Sequence, residues 1–375
     1  MAAVTFAVPG SLDQPTGGYK YDRRVIAGLR LRGCEVDVID LGDGFPRPTP
    51  EMVDAALSRL RRVPAGQPIV VDGLALGVLP DAAAALRSSH RVIALVHHPL
   101  ALESGLTPAE TAALRNSERA ALAAVSRVVV TSPATRRILV ADYGVPTEII
   151  AVALPGSERT AGTAVVRKLA GETINQTINL LAVGAVVPRK GYDVLIEALG
   201  QLAALDWQLV IAGDCKRDRA TAGELARTIA HKRLERRVCL AGAVNEHELA
   251  ALYGDADVFV LASRFEGYGM AYAEAIAHGL PVIGTRTGAV PDTVPEGAGI
   301  LVPPDDVGAL AAALRSMIAD AALRRRCSEA ARSTPMPTWE AAAQTFLDVL
   351  QTPTLPSPAS GGGHIDLPCP ACGGG

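Results

Sequence analysis

The residues of this chain best suited to chemistry sit in one short segment, Ser263-Arg264-Phe265-Glu266-Gly267-Tyr268-Gly269-Met270-Ala271-Tyr272-Ala273-Glu274-Ala275. A β-branched run, Val258 to Leu261, precedes it and a helical pattern, Met270 to His278, follows, so the turn lies at the carboxyl end of a strand. Gly267 and Gly269 let backbone approach a ligand closely, and the free N–H groups and positive end of the helix favour a phosphate. Glu266 lies in the loop before the helix. Glu274 sits about one turn in, and helical side chains lean toward the N-terminus, so its carboxylate points back at the same ligand. A carboxylate accepts two hydrogen bonds at once, which suits the vicinal hydroxyls of a sugar or ribose. Either glutamate alone would read as a solvated surface charge; the pair, with glycines in a strand-turn-helix context, reads as a binding site.

A second segment of the same layout, Val183-Gly184-Ala185-Val186-Val187-Pro188-Arg189-Lys190-Gly191-Tyr192-Asp193, also follows a strand and precedes a helix. Arg189 and Lys190 there can neutralise a departing anion without a metal; the alternative is an exposed basic pair on a loop. Asp255-Ala256-Asp257 has the spacing of a metal-holding carboxylate pair, but it runs straight into the Val258 strand and is read as structural, so no metal ligand is expected. Cys369-Pro370-Ala371-Cys372 is a single C-x-x-C with no second pair to meet, and is read as part of a tail without a site.

These segments need a scaffold, and the pattern supplies one. Val4 to Val8, Glu35 to Asp40, Pro68 to Asp72, Arg91 to His97, Arg127 to Thr131 and Glu148 to Ala153 read as strands. Tyr19 to Arg32, Met52 to Arg62, Pro108 to Ala124 and Pro133 to Tyr143 read as helices between them. Alternation of this kind builds a parallel sheet. A polar stretch, Pro155 to Gln176, precedes a second series with strands at Ile178 to Val183, Gln208 to Ala212, Val238 to Leu240, Val258 to Leu261, Pro281 to Gly284 and Gly299 to Val302. Its helices include Tyr192 to Ala204, Glu246 to Tyr253, Met270 to His278 and Val307 to Ala319, and Asn245 with Glu248 forms a capping box for the second of these. The expected fold class is α/β, with two facing Rossmann-like doubly wound domains at 1–165 and 177–334 and an interdomain cleft. A last helix, 338–350, is expected to pack back on the first domain, and 352–375 is expected to be a disordered Pro/Ser/Gly tail.

Composition sets the outer limits. The chain has 375 residues, 49% of them hydrophobic but only 4% aromatic, which suits small-residue helices on parallel sheets. A net charge of -3 gives no reason to expect nucleic acid as a partner. The six cysteines lack the spacing of a disulfide framework. With no spanning apolar run and no leader pattern, the expected location is cytoplasmic, with peripheral contact at the inner membrane face left open. Lys20, Arg23, Arg24, Arg30 and Arg32 make the first helix basic; with Asp22 interleaved they read as a solvated face rather than a membrane surface.

The paired-glutamate segment resembles the signature of family 4 glycosyltransferases, which have the GT-B architecture, and the resemblance runs in order through nearly all of residues 1 to 350. It implies a retaining transferase moving a hexosyl group from a nucleotide-diphosphate sugar to an acceptor hydroxyl of a glycan, lipid or small molecule, with no cofactor and no obligatory metal. Carried over, Glu266 contacts hydroxyls of the transferred sugar and Glu274 the nucleotide ribose, with backbone at Gly267, Tyr268, Gly269 and Met270 meeting sugar and diphosphate. Lys190 matches the family's lysine, whereas Ala185 stands where members commonly have an arginine, which leaves Arg189 to supply that charge. The Thr287-Gly288-Ala289-Val290 loop resembles one that lies against the donor, and Gln14-Pro15-Thr16-Gly17-Gly18-Tyr19 one that approaches donor phosphate and acceptor. The latter is not G-x-G-x-x-G, which argues against a nicotinamide site. His97, or failing it His98, is the histidine expected near the transferred sugar. A sugar-nucleotide epimerase, a phosphorylase, and a catalytically weak nucleotide-sugar-binding protein are the competing readings.

Overall fold

Two parallel six-stranded sheets organise the computed structural model of this chain, which describes residues 3–14, 16–158 and 177–352. The first contains β1 (Ala3–Val8), β2 (Glu35–Asp40), β3 (Ile69–Asp72), β4 (Val92–Val96), β5 (Arg127–Val130) and β6 (Ile150–Val152), in the order β2-β1-β3-β4-β5-β6. The second contains β7 (Ile178–Val183), β8 (Trp207–Ala212), β9 (Val238–Gly242), β10 (Val258–Val260), β11 (Val282–Thr285) and β12 (Gly299–Val302), in the order β12-β11-β10-β7-β8-β9. Helices cover both faces, so the central strands read as unbroken apolar runs: every residue of β3, β4, β5 and β10 is buried. The chain reverses direction across the sheet between β1 and β3, and again between β7 and β10. Beyond the carboxyl ends of strands at such a reversal is where doubly wound sheets bind ligands.

The Trp339–Gln351 helix returns to the first sheet. Ala342, Phe346, Leu347 and Val349 share a buried cluster with Val4, Phe6, Tyr21 and Val25, and the Arg91 guanidinium donates to the carbonyl of Leu350 at 2.8 Å. Asn245 and Glu248 form the capping box read from the sequence: Asn245 Oδ1 accepts the Glu248 N–H at 2.9 Å and Glu248 Oε2 accepts the Asn245 N–H at 2.9 Å.

Some boundaries differ from the pattern. β4 stops at Val96 and leaves His97 past its end, and the Tyr192 helix ends at Gly200 rather than Ala204. Helices at Gly73–Leu76, Pro80–Leu86 and Arg219–His231 were not read from the sequence. The first two are short and dominated by Ala and Leu, and the third buries only Leu225 and Ile229 on an otherwise polar stretch. Residues 159–165 of the expected first domain, most of the polar stretch between the domains, and the expected tail from 353 with its C-x-x-C lie outside the described residues.

Candidate active site at the seam between the sheets

After β10 the backbone turns through Ser263 and Glu266 to Gly269, whose left-handed φ of 88° caps the Met270–Ala277 helix and calls for glycine. Glu266 is 6% exposed. Burial by itself would push its carboxyl up, but Lys190 Nζ lies 2.6 Å from Oε1 and Arg189 Nη1 lies 3.4 Å from Oε2. With the Ser263 hydroxyl donating to Oε1 at 2.7 Å, these cations hold Glu266 at about 2. Lys190 is itself lowered, because burial costs its charge more than Glu266 returns. Arg189 is raised, the carboxylates of Glu266 and Glu103 outweighing its burial.

The turn that delivers both cations is locked locally. Gly191, at φ 65°, presses on the carbonyl of Ala262, and Arg264 N–H donates to the carbonyl of Arg189 at 2.8 Å. The Arg264 guanidinium in turn pairs with Asp193 at 2.7 Å and Asp305 at 2.8 Å. Because β7 and β10 are neighbours at the reversal, the loops that follow them meet, and the Glu266 contacts bridge a sequence gap of 76 residues. Ala185 brings no charge, and the second cation at Glu266 is Arg189.

Glu274 is held differently. Its Oε1 lies 2.6 Å from Lys20 Nζ and its Oε2 accepts the Tyr253 hydroxyl at 3.1 Å. Lys20 belongs to the Gly17–Leu31 helix of the first half, so this contact crosses the seam. A second crossing joins Arg189 Nε to Glu103 Oε1 at 3.1 Å, and Arg137 meets Asp292 at 2.8 Å. Glu103 is held at about 2: its burial is outweighed by the His98 and Arg189 side chains.

The glycines of these turns also permit close backbone packing. A Cβ at Gly267 would strike the carbonyl of His97, and the Gly267 carbonyl accepts the Thr135 hydroxyl at 3.3 Å. Gly288, at φ 49°, packs on the Glu266 carbonyl, which accepts the Ala289 N–H at 2.9 Å, so this loop braces the Glu266 backbone. The Tyr268 carbonyl accepts the Thr293 hydroxyl at 2.5 Å. Gly17 faces Met270, whose Sδ would be 3.4 Å from a Cβ there, and Gly18 faces the His97 ring. Thus Gly17, Gly18, His97, Gly267 and Met270 come together across the seam.

The two histidines have different surroundings. His97 Nε2 lies 3.2 Å from Asp22 Oδ1 and 3.3 Å from Asp72 Oδ2. Burial would lower His97, but the two carboxylates raise it to about 10, while burial raises Asp22 to about 6 against the pull of His97. His98 lies 3.5 Å from Glu103 Oε2 and its ring centroid is 6.1 Å from that of Phe265 across the seam.

Sequence reasoning singled out neither Ser263, Tyr253, Glu103 and Asp72 nor the individual parts of Lys20 and Asp22. Asp72 carried a usable signal as the N-cap of Gly73–Leu76; its Oδ1 accepts the Leu74 N–H at 2.7 Å. The basic residues of the first helix, expected as a solvated face, are exposed or half-buried and have partners. Lys20 meets Glu274, Arg24 meets Glu158 at 3.1 Å, Arg23 donates to the carbonyls of Leu12 and Gln14, Arg30 to that of Val36, and Arg32 to that of Glu340. Asp257 Oδ2 accepts the Asn179 N–H at 2.8 Å, which ties the approach to β10 to β7. Among the described residues no helix is long and apolar enough to cross a membrane.

Beneath the loop that carries His98 and Glu103, the buried Glu118 accepts the Leu100 N–H at 3.0 Å, and burial raises its carboxyl to about 7. An acid raised in the folded state costs nothing below its unfolded value, and its penalty grows as pH climbs toward 7, to about 3 kcal/mol. Glu118→Gln should therefore gain in melting temperature relative to the parent between pH 5 and pH 8. A parallel pH dependence of the two proteins would show that Glu118 does not titrate in this way.

Residues 171–334 match the family Glycosyl transferases group 1. Mannosylfructose-phosphate synthase of Agrobacterium fabrum is 30% identical over 172 residues, covering 43% of this chain and 38% of that protein. D-inositol 3-phosphate glycosyltransferase of Xylanimonas cellulosilytica is 32% identical over 256 residues, covering 64% of this chain and 60% of that protein. The chain thus spans less than two thirds of the length of these curated relatives. Among solved structures, sucrose-phosphate synthase from Thermosynechococcus elongatus superposes with a TM-score of 0.78 at 23% identity, covering 93% of this chain and 98% of that one. Anabaena Alr3699/HepE in complex with UDP and glucose superposes with a TM-score of 0.70 at 19% identity, covering 92% and 98%. Such likenesses fix the fold as GT-B, and residues 171–334 are similar to the group 1 glycosyltransferases.

Proposed function

We propose that this chain is a retaining hexosyltransferase that takes its sugar from a nucleotide-diphosphate donor and passes it to an acceptor hydroxyl. The observation that carries the reading is the buried group at the reversal point of the second sheet: Lys190 and Arg189 on Glu266, in the loop that leads into the helix carrying Glu274. The largest charge that develops in such a reaction is on the departing diphosphate, and Lys190, Arg189 and the N-terminus of the Met270–Ala277 helix are the groups to meet it. Glu266, kept ionised by the same cations, orients the sugar through its hydroxyls, and Glu274 takes the ribose. The bond from the anomeric carbon to the phosphate oxygen breaks, the bond to the acceptor oxygen forms on the same face, and the acceptor proton passes to the departing phosphate oxygen. No covalent sugar–protein intermediate is required.

The sugar relatives and the fold support this reading: one relative is a D-inositol 3-phosphate glycosyltransferase and one structural neighbour was solved with UDP and glucose. The test is to incubate the protein with UDP-, ADP- and GDP-sugars and a panel of sugar, lipid and polyol acceptors, following free nucleoside diphosphate and the anomeric configuration of product. Release that depends on an acceptor, with retention, is expected. Release that is the same without acceptor, or product formed from a sugar 1-phosphate, would assign a hydrolase or a phosphorylase instead.

A further inference from the structure

We propose that Arg217 is a further ligand of the donor diphosphate and supplies the charge that Ala185 does not. The inference rests on the nucleotide-diphosphate reading given above and adds a residue to it. Charge balance creates the need. Lys190 and Arg189 both face Glu266, but Arg189 is shared between Glu266 and Glu103, and its Nη1 also donates to the Phe265 carbonyl at 2.8 Å. Two cations thus face two carboxylates, which leaves this group no net positive charge to set against a diphosphate. A departing diphosphate calls for a cation whose charge is not already answered.

Position supplies the candidate. The loop after β8 lies directly on the turn that follows β7. A Cβ at Gly213 would strike the Gly184 carbonyl and come 2.9 Å from the Ala185 nitrogen, and the Val186 N–H donates to the Asp214 carbonyl at 3.0 Å. Lys190 reaches the same place, because its side-chain carbons lie over Gly184. Arg217 follows on this loop, ahead of the Arg219–His231 helix, and is exposed. Its charge is felt across the seam at Tyr19. Burial and the carboxylates of Asp72 and Asp22 push the Tyr19 phenol up to about 12, and Arg217 pulls against them. Tyr19 ends the Gln14 to Tyr19 segment, and its hydroxyl donates to the Pro9 carbonyl. Arg217 therefore stands at the seam, on a loop in contact with position 185 and within electrostatic reach of the loop before the first helix.

Arg217 is also uncommitted. The two acids nearest it on the loop are tied to other groups. Asp214 Oδ1 accepts the Lys216 N–H at 2.7 Å, and Asp218 caps the following helix, accepting the Thr221 N–H at 3.0 Å and the Thr221 hydroxyl at 2.8 Å. Among the described residues the Arg217 guanidinium has neither an ion pair nor a hydrogen bond. A guanidinium can give two parallel hydrogen bonds to one phosphate, which a single ammonium such as Lys190 cannot match. An arginine on the adjoining loop can thus serve where position 185 offers only a methyl group.

Equilibrium binding tests the assignment. UDP, ADP and GDP are titrated against the full chain, and the one bound most tightly is compared with its uncharged nucleoside. Arg217→Ala should weaken the diphosphate about tenfold, the cost of a charge-assisted hydrogen bond at an exposed position, and leave the nucleoside unchanged. Its diphosphate affinity should also fall less steeply with salt than the parent's. Lys216→Ala removes the same charge from the neighbouring exposed position and should change neither affinity. Ala185→Arg added to Arg217→Ala should restore the diphosphate affinity, because it returns a cation to the same ligand. Circular dichroism and melting curves confirm that each variant compared is folded. An equal loss in Lys216→Ala would show a general field rather than a contact and would overturn the inference. Equal weakening of nucleoside and diphosphate in Arg217→Ala, or a folded double variant without restoration, would overturn it too. A parent that binds diphosphate no better than Arg217→Ala does would overturn this inference and leave the donor reading standing. A parent that binds no nucleoside diphosphate at all would remove the donor reading and the inference together.

Discussion

Replacing Lys190 with alanine should lower kcat by about 10²- to 10³-fold while changing donor affinity by less than about tenfold, because the cation is needed most when the diphosphate departs. The side effect on stability follows from the same geometry. Lys190 is the nearer of the two cations on Glu266, at 2.6 Å against 3.4 Å for Arg189, so its loss leaves a buried carboxylate with half its compensation. Breaking a buried pair from one side costs about 3–5 kcal/mol. Glu266, held at about 2 in the intact protein, contributes stability that is full above its unfolded value and is lost as pH falls through its folded value. Without Lys190 its folded value rises, so acid unfolding should begin at a higher pH. Lys190→Ala with Glu266→Gln removes the uncompensated charge and should recover much of the melting temperature but none of the turnover. If folded Lys190→Ala kept the parent's turnover, Lys190 would be a structural partner of Glu266 and not a group that meets the leaving diphosphate.

The part of this site that was legible in the sequence is the part that is local. A strand, a glycine turn and a helix start lie within about a dozen residues of one another, and caps and periodicity report on that range. Glu266 and Glu274, Arg189 and Lys190 were found on that basis. That Lys190 touches Glu266 depends on β7 lying beside β10, a fact of strand order that no local pattern carries. Lys20, Glu103 and Thr135 depend on still more, the placement of one sheet against the other. The glycines show the same limit from the other side. Their need for close approach was legible; that Gly267 meets the His97 carbonyl and Gly288 the Glu266 carbonyl was not. The grouping of Asp22 and Asp72 with His97 was invisible for a related reason: a buried aspartate in a helix that also carries four basic residues looks like one more surface charge until the helix is docked.

Glu274→Ala should weaken binding of nucleoside diphosphate by about 10- to 100-fold, the cost of losing a hydrogen bond from a ribose hydroxyl to a charged acceptor. One oxygen of Glu274 pairs with Lys20 and the other accepts the Tyr253 hydroxyl. A ribose hydroxyl that takes the place of the Lys20 ammonium exchanges one partner of the carboxylate for another. That exchange is cheap, because both side chains are partly exposed, at 28% and 20%, and pairs of this kind are worth about 0–1 kcal/mol. Lys20→Met removes the competitor and should tighten binding of an uncharged nucleoside by up to about fivefold. Raising salt weakens the ion pair without touching the nucleoside, so the parent protein should bind nucleoside better in high salt and Lys20→Met should not respond. In the Lys20→Met, Glu274→Ala chain the affinity should equal that of Glu274→Ala alone, since Lys20 acts only through the carboxylate. Weaker nucleoside binding by Lys20→Met would show instead that the ammonium is itself a ligand of the donor, and that the first half of the chain reaches over the seam to hold it.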